Sequence, residues 1–250
     1  MHVAFVATGR SEDCGIATYT TSLQDALADL DTGGDGGAGD DADAAADADD
    51  VTTTRIALRL GSWNVLHYVA AAVRAGESST DVVHVQHEYG IFGPKSLASW
   101  PFFVVLWFLA TVRAVPIVVT MHTAWSEETI GPPLPGLKRV YVALNNRLIA
   151  AVADHLLFLT DEERNRFAQS VPLGETDATV LPHGVPTDVH PMEQAKAKAR
   201  FDYDAETTLI AEPGYVRPEK GYETFLSIAA ELPETAFLIG GGPQDDAQAE

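Results

Sequence analysis

Short apolar runs alternate with longer helical runs along most of this chain, and this alternation is the feature that most constrains its fold. A repeated strand and helix order favours a parallel sheet, because each crossover needs a helix to bring the chain back to the same edge. Right-handed crossovers predict a doubly wound, Rossmann-like α/β sheet with helices on both faces. The pattern predicts strands at 2–7, 54–58, 82–86, 116–121, 155–159 and 178–182, and helices at 15–30, 63–75, 95–113, 137–152 and 161–169.

The alternation starts again in the last quarter of the chain, which predicts a second unit of the same kind. This unit would hold a strand, a helix and a further strand. About 40 residues bury too little surface to fold alone, so we expect the chain to be C-terminally incomplete. The predicted division is a first Rossmann-like domain at 1–190, a linker helix within 191–206 and the incomplete start of a second domain at 207–250.

Acidic residues dominate the charge of the chain. There are 36 acidic and 16 basic residues, which give a formal net charge of −20. Nucleic acid is excluded as a partner, because binding to phosphate backbones depends on clustered Lys and Arg. The composition resembles that of proteins from halophilic archaea, in which molar salt screens such self-repulsion. Residues 31–53, mainly Gly, Ala, Asp and Thr, predict an acidic disordered insert.

Two features bear on the cellular compartment. Cys14 is the single cysteine, so no intrachain disulfide can form, and the first residues lack the pattern of a signal peptide. These features predict a cytoplasmic protein. The longest apolar segment, 101–112, is shorter than the roughly 20 residues that cross a bilayer. Two interpretations of it stay open: a buried core helix, or a peripheral contact with the inner face of the membrane.

Three of the apolar runs end in a histidine, namely His87, His122 and His183. The carboxyl ends of parallel strands meet at one edge of a sheet, where loops converge on ligands. The three imidazoles therefore predict a polar ligand site at that edge. Structural capping by each histidine is the simpler alternative. A metal hydrolase using all three is a further alternative, although no short-spaced pair of ligands supports it.

Glycines and cations after the strands predict contacts with phosphate. Gly15 begins the first helix, where free backbone N–H groups attract anions. Arg217 and Lys220 lie in a loop before a helix and could hold a diphosphate, and Gly241 follows a strand directly. Each has a simpler alternative: Gly15 only starts a helix, Arg217 and Lys220 are a solvated pair of cations, and Gly241 belongs to a structural turn. The first turn, with Gly9, lacks the G-x-G-x-x-G order of a nicotinamide site.

Six segments, taken together and in order, resemble the retaining glycosyltransferases of family 4, which have the GT-B fold. The resemblance covers nearly the whole chain apart from the acidic insert. The segments are CGIATYT at 14–20, HVQHEYGIFG at 84–93, VVTMHT at 118–123, LPHGV at 181–185, PEKGYETF at 218–225 and FLIGGGP at 237–243.

The resemblance implies transfer of a sugar from a nucleotide-diphosphate sugar to an acceptor in glycan biosynthesis. It implies retention of anomeric configuration and no metal or other cofactor. His122 would be the catalytic histidine beside the transferred sugar, and the acceptor would be a sugar or a lipid-linked sugar. Residues assigned by the resemblance to the donor are Gly15, Arg217, Lys220 and Gly241, and those assigned to the acceptor are His87, Glu88 and His183.

The sequence departs from the family pattern at two points. Tyr215 stands where the family usually has an arginine, so the diphosphate would rest on Arg217 or Lys220. The two glutamates that the family uses to contact the donor would lie beyond Glu250. A non-catalytic partner or regulatory subunit of a complete transferase is therefore the alternative function.

Overall fold

The computed structural model describes residues 1–12, 14–31, 51–77, 79–125, 135–173, 178–185, 189–216 and 220–242. The chain divides into two compact units, Met1–Val185 and Pro186–Glu250. In the described parts, strands and helices alternate as the sequence predicts.

The strands are short and the helices between them vary in length. The strands are β1 (His2–Thr8), β2 (Thr52–Leu58), β3 (Val82–His87), β4 (Ile117–Met121), β5 (His155–Phe158), β6 (Ala178–Val180), β7 (Leu209–Pro213) and β8 (Ala236–Gly240). The helices are α1 (Gly15–Asp31), α2 (Val65–Ala75), α3 (Ser99–Arg113), α4 (Pro135–Val152), α5 (Asp161–Ala168), α6 (Gln194–Ala199) and α7 (Tyr222–Glu231).

The first unit contains a six-stranded sheet in the order β2-β1-β3-β4-β5-β6, and every neighbouring pair is parallel. The chain leaves β1 in one direction to form β2 and then crosses back to form β3. Right-handed crossovers therefore place α1 on one face of the sheet and α2, α3, α4 and α5 on the other. The second unit pairs β7 with β8 in parallel. The predicted α/β class with a doubly wound parallel sheet is confirmed.

The central strands are covered on both faces, which explains why they are almost continuously apolar. Five successive residues of β1, from Val3 to Ala7, are buried, as are Val83 and Val85 of β3. An aromatic cluster of Phe92, Phe102 and Phe103 packs against them from the side of α3. This packing holds the carboxyl ends of the strands in fixed positions.

The segment before α3 differs from the long helix predicted at 95–113. Two short 3₁₀ turns, Tyr89–Phe92 and Pro94–Ser96, precede a helix that begins at Ser99. Gly93 between the turns has a φ of 74°, and a Cβ there would lie 2.8 Å from the backbone oxygen of Ser62. Inside the predicted span, Ser96 has a φ of 57°, which a continuous α-helix cannot accommodate, so the helix begins only at Ser99.

Other bounds shift by a few residues. β2 begins at Thr52, inside the span predicted as the insert, and residues 32–50 lie outside the described residues. Of the predicted linker helix within 191–206, α6 occupies six residues. Among the described helices, none has the length and apolar character needed to cross a bilayer.

Candidate functional site

The candidate site lies at the carboxyl edge of the six-stranded sheet, on the face covered by α1. Successive side chains of a strand point to opposite faces, so the run HVQH of β3 divides into two pairs. His84 and Gln86 point towards one face, and Val85 and His87 point towards the other. The same alternation places Thr120 of β4 on the face of His84 and Gln86, with His122 just beyond the strand.

Hydrogen bonds connect these polar side chains into one chain. Nε2 of His84 lies 2.8 Å from Oγ1 of Thr120 and 3.2 Å from Nε2 of Gln86. Oε1 of Gln86 lies 2.8 Å from Nε2 of His122. Gln86 is fully buried, so its amide is held between the two rings. A buried polar side chain with partners on both sides is well ordered, and it fixes the orientation of the His122 ring.

The donors and acceptors in this chain assign a tautomer to His122. With the Gln86 amide oxygen facing His122, Nε2–H of that ring donates to it, and the Gln86 NH₂ group donates to Nε2 of His84. This assignment leaves Nδ1 of His122 with a lone pair. Among the described residues, no hydrogen bond to that Nδ1 is found. Nδ1 is therefore the atom that His122 can offer to a hydroxyl group of a ligand.

Tyr19 of α1 brings His122 together with His183. Its ring centroid lies 5.0 Å from that of His122 and 4.5 Å from that of His183, both in edge-to-face geometry. The centroids of the two imidazoles are 6.4 Å apart. His183 is exposed and His122 is partly buried, so the two imidazoles extend from the solvent-exposed surface to the edge of the sheet.

Both histidines of the buried hydrogen-bonded chain are neutral at pH 7. Burial, with a smaller repulsion from His183, lowers the pKa of His122 to about 4. Burial and then repulsion from His122 lower the pKa of His84 to about 4. Desolvation disfavours the charged imidazolium, which explains the direction of both shifts. Neutral His122 can accept a hydrogen bond, and it presents no positive charge to a ligand.

His87 does not join this site. Its ring lies on the opposite face of the sheet, fully buried, 5.2 Å from Phe92 in stacked geometry and 5.0 Å from Tyr89. Both ring nitrogens lack a hydrogen-bond partner in the described structure, and burial lowers the pKa of His87 to about 3. His87 has no exposed atom that could make the acceptor contact predicted for it. Its carbonyl oxygen does accept from the backbone N–H of His122, at 2.9 Å.

The position of His87 also bears on the three-histidine metal hydrolase. A shared metal ion would need all three rings on one side of the sheet, and the ring of His87 faces away from His122 and His183. Across the described residues, no group of three or more His, Cys, Asp or Glu side chains could hold a metal ion. The geometry therefore does not favour that alternative.

Two other predicted residues of the first unit lie near the same edge. The side chain of Glu88 caps the 3₁₀ turn that follows β3, where Oε1 accepts from the backbone N–H of Gly90 at 3.3 Å. Gly15 starts α1 and is exposed, and nothing lies within 4 Å of the position that a Cβ would take. Gly15 therefore leaves open space beside the first turn of α1. The roles of both residues stay predictions.

The predicted donor contacts of the second unit are described separately. Lys220 is exposed immediately before α7, and Arg217 lies outside the described residues. A Cβ on Gly241 would overlap the carbonyl oxygen of Gly214. The loop after β8 thus passes too close to the loop after β7 for any side chain at Gly241. This close approach explains structurally why residue 241 is a glycine. The contact of Gly241 with the donor stays a prediction.

Sequence analysis missed three residues of the site, namely Tyr19, His84 and Gln86. His84 and Gln86 lie in the same segment as His87. His87 was selected because it ends the apolar run, and the alternation of side chains along the strand was not considered. Counting in twos from His122 across to β3 would have selected Gln86 and set His87 apart. Tyr19 had no such signal, because its contact with His183 depends on how α1 packs on the sheet.

Fold and site together define a class. A doubly wound parallel sheet of the GT-B type is an α/β fold in which ligand sites generally lie at the carboxyl edge, and that edge holds the ordered ring of His122 here. Within that class, the chain belongs to the glycosyl transferase 4-like domain family, whose model matches residues 14–184. The resemblance to family 4 glycosyltransferases is thereby confirmed, and retention of configuration stays a prediction.

Individual relatives agree with this family. A D-inositol 3-phosphate glycosyltransferase of Mycobacterium sp. strain JLS is 28% identical over 163 residues, which cover 63% of this chain and 36% of the relative. The corresponding protein of Mycolicibacterium smegmatis is 27% identical over 170 residues, 66% of this chain and 38% of the relative. The chain therefore spans less than half the length of these relatives.

A solved structure shares the fold. The crystal structure of Anabaena HepE in complex with UDP-glucose matches with a TM-score of 0.61 and 12% identity, covering 99% of this chain and 62% of that one. At this identity the similarity concerns the fold alone.

Proposed function

We propose that this chain contributes to a glycosyltransferase that transfers a sugar from a nucleotide-diphosphate sugar to an acceptor, with retention of anomeric configuration and without a metal ion. One observation carries the proposal: the ring of His122, held by Gln86 and flanked by Tyr19 and His183, stands at the carboxyl edge of a sheet in this family. Such a site is polar and well ordered, as a sugar site must be.

His122 would orient the sugar that is transferred. Nδ1 of the neutral ring would accept a hydrogen bond from a sugar hydroxyl group, while Gln86 keeps the ring from turning. Gly15, at the start of α1, would let the donor phosphates approach the free N–H groups of the first turn. The positive end of the helix dipole would favour those phosphates further.

The bond between the anomeric carbon and the phosphate oxygen breaks in this reaction, and a bond from the acceptor oxygen to the same carbon forms on the same face. The proton of the acceptor hydroxyl group passes to the leaving phosphate oxygen. Lys220 and Arg217 would neutralise the diphosphate as its charge grows. No protein nucleophile is needed, in accordance with the neutral polar side chains that make up the described site.

The acceptor that we propose is a sugar or a lipid-linked sugar, bound beside His183 and Glu88. His183 is the exposed member of the imidazole pair, so a ligand entering from solvent would meet it first. His87 would act through its backbone, by holding the N–H of His122 at 2.9 Å. A cytoplasmic protein that works at the inner face of the membrane would meet a lipid-linked acceptor there.

The test is a titration of the 250-residue chain with UDP-, GDP- and ADP-sugars, followed by assays of nucleoside diphosphate release. We expect one donor class to bind, and the His122→Ala variant to weaken it about tenfold or more, the loss of one or two hydrogen bonds in a partly buried site. The control is His155→Ala, which removes a histidine from the opposite edge of the same sheet. A chelator should leave the binding unchanged.

Two results would contradict the proposal. If none of the nucleotide sugars binds while sugar acceptors do, the non-catalytic partner is the better interpretation. If His155→Ala weakens donor binding as much as His122→Ala, the carboxyl edge is not the donor site. Transfer with inversion, measured by NMR of the product, would overturn the proposed stereochemistry alone.

A further inference from the structure

Three consecutive helices of the first unit contain no acidic residue, although the chain has 36. Neither Asp nor Glu occurs among the 11 residues of α2, the 15 of α3 or the 18 of α4. By contrast, α1 contains three aspartates, and the first turn of α5 is entirely acidic. The negative charge of the unit is therefore distributed unevenly over its surface.

The three acid-free helices form one continuous layer. α2 packs against α3, and α3 packs against α4. Their crossovers run in the same direction along the sheet, so all three cover the same face. The acidic helix α5 lies on this face too, beyond α4 at the edge of the sheet, and is not part of the layer of three. We call the outer surface of this layer the acid-free face. It lies opposite α1 and hence opposite the candidate site.

Large apolar side chains are exposed on this face. Trp107 and Phe108 of α3 are 49% and 59% exposed, and Leu66 of α2 is 74% exposed. Leu137 of α4 is also exposed, and so is Trp63 just before α2. Aromatic and branched side chains on three adjacent helices, in a unit whose core is otherwise well covered, indicate a surface that meets an apolar partner.

Cations accompany the apolar side chains. Arg74 lies in the last turn of α2 and Arg113 in the last turn of α3, while Lys138 and Arg139 lie near the start of α4. The face ends near Arg113, where Glu77 and Asp81 line the same cavity as that arginine. The three helices themselves carry positive charge only, on a chain whose net charge is −20, and Asp154 lies at the border of the face in a cavity that Trp107 also lines.

We propose that the acid-free face docks on the surface of an anionic lipid bilayer. Trp and Phe insert at the boundary between headgroups and acyl chains, and Arg and Lys bind anionic headgroups. A chain of charge −20 would be repelled by such a surface in most orientations, and the cations of this face would offset that repulsion. The inference deepens the proposed location at the inner face of the membrane, and it can fail while the proposed sugar transfer stands.

The docked orientation would leave the candidate site accessible. Since α1 and the carboxyl-edge histidines lie on the opposite side of the sheet from this face, bilayer contact would not cover Tyr19 or His122. A lipid partner is favoured over a second copy of the same face, because pairing two such faces would set the cations of α2, α3 and α4 against one another.

The experiment is flotation of the full 250-residue chain with two kinds of vesicle, one of phosphatidylcholine alone and one containing phosphatidylglycerol. We expect binding to the anionic vesicles only, weakened about tenfold or more in Trp107→Ser/Phe108→Ser and about fivefold in Arg113→Ala. The matched controls are Phe201→Ser, with a phenylalanine 55% exposed in the second unit, and Arg164→Ala on α5. Circular dichroism checks that each variant is folded.

Three outcomes would overturn the proposal. The first is no flotation with anionic vesicles by a folded chain. The second is flotation that Phe201→Ser weakens as much as Trp107→Ser/Phe108→Ser does. The third is a dimer, detected by sedimentation without lipid, that the double variant abolishes, because the face would then be occupied by a second copy.

Discussion

The two faces of the six-stranded sheet differ in chemistry although the same strands supply both. On the face of α1, His84, Gln86 and His122 form a chain of hydrogen bonds that ends beside the partly exposed Tyr19. On the face of α3, the ring of His87 lies among aromatic rings, and neither of its nitrogens has a hydrogen-bond partner in the described structure. One residue of offset along β3 thus separates a candidate ligand site from a packed core.

The position of a histidine at the end of a strand therefore does not by itself decide its role. The alternation of side chains along the strand decides it, because that alternation determines the face of the sheet on which each ring lies. We therefore expect substitutions on the α3 face to change mainly stability, and substitutions on the α1 face to change mainly ligand binding.

The largest effect is expected at Phe103, which is fully buried against Phe92 and Phe102. The Phe103→Ala substitution leaves a cavity in this cluster and should lower the free energy of unfolding by about 3–5 kcal/mol. Phe108→Ala, on the exposed side of the same helix, should change it by less than about 0.5 kcal/mol. Urea denaturation of both variants measures this, and equal losses would contradict the assignment of the two sides of α3.

The second prediction concerns the acid sensitivity that His87 confers. Its pKa of about 3 is below the ordinary 6.5, so the unfolded chain takes up a proton below pH 6.5 while the folded chain does not. This residue's contribution to stability is full above pH 6.5 and falls by about 1.4 kcal/mol per pH unit as the pH drops towards 3.

His87→Phe removes this dependence and keeps the stacking on Phe92. Relative to the wild type, the variant should gain about 2 kcal/mol of unfolding free energy between pH 7 and pH 5. Denaturation at both pH values measures the gain, and exposed His190 provides the control as His190→Phe. A variant that shows the same pH dependence as the wild type would mean that the ring of His87 is not buried.

The third prediction moves to the α1 face. Gln86→Leu removes the acceptor for Nε2–H of His122, and we expect donor binding to weaken about tenfold, the value of one hydrogen bond and a fixed ring orientation. Gln86→Glu keeps an acceptor and adds negative charge, which should raise the pKa of His122. NMR titration of the ring measures that rise. A purely structural role for Gln86 predicts instead that both variants bind equally.

The smallest effect is expected from Tyr19→Phe. The edge-to-face contacts with His122 and His183 involve the ring, so removal of the hydroxyl group should alter donor binding by less than about twofold. Tyr19→Ala removes the ring and should weaken binding about fivefold. Calorimetric titration separates the two, and a large loss in Tyr19→Phe would assign the hydroxyl group a contact of its own.

The sequence predicted the order of strands and helices because apolar periodicity and strand burial follow directly from residue type. It also placed His122 and His183 near one another, since both follow strands of a parallel sheet. It failed for His87, whose face depends on counting residues along β3. It failed for Tyr19 and for the start of α3 as well, because those depend on contacts between segments distant in the chain.

The most direct test of the separation between the two faces is histidine-selective ¹⁵N NMR of the chain during titration with the nucleotide sugar that binds. We expect the signals of His122 and His183 to shift, with Nε2 of His122 protonated throughout, while those of His87 and His155 stay unchanged. A shift at His87 with none at His122 would contradict the assignment of ligand binding to the α1 face.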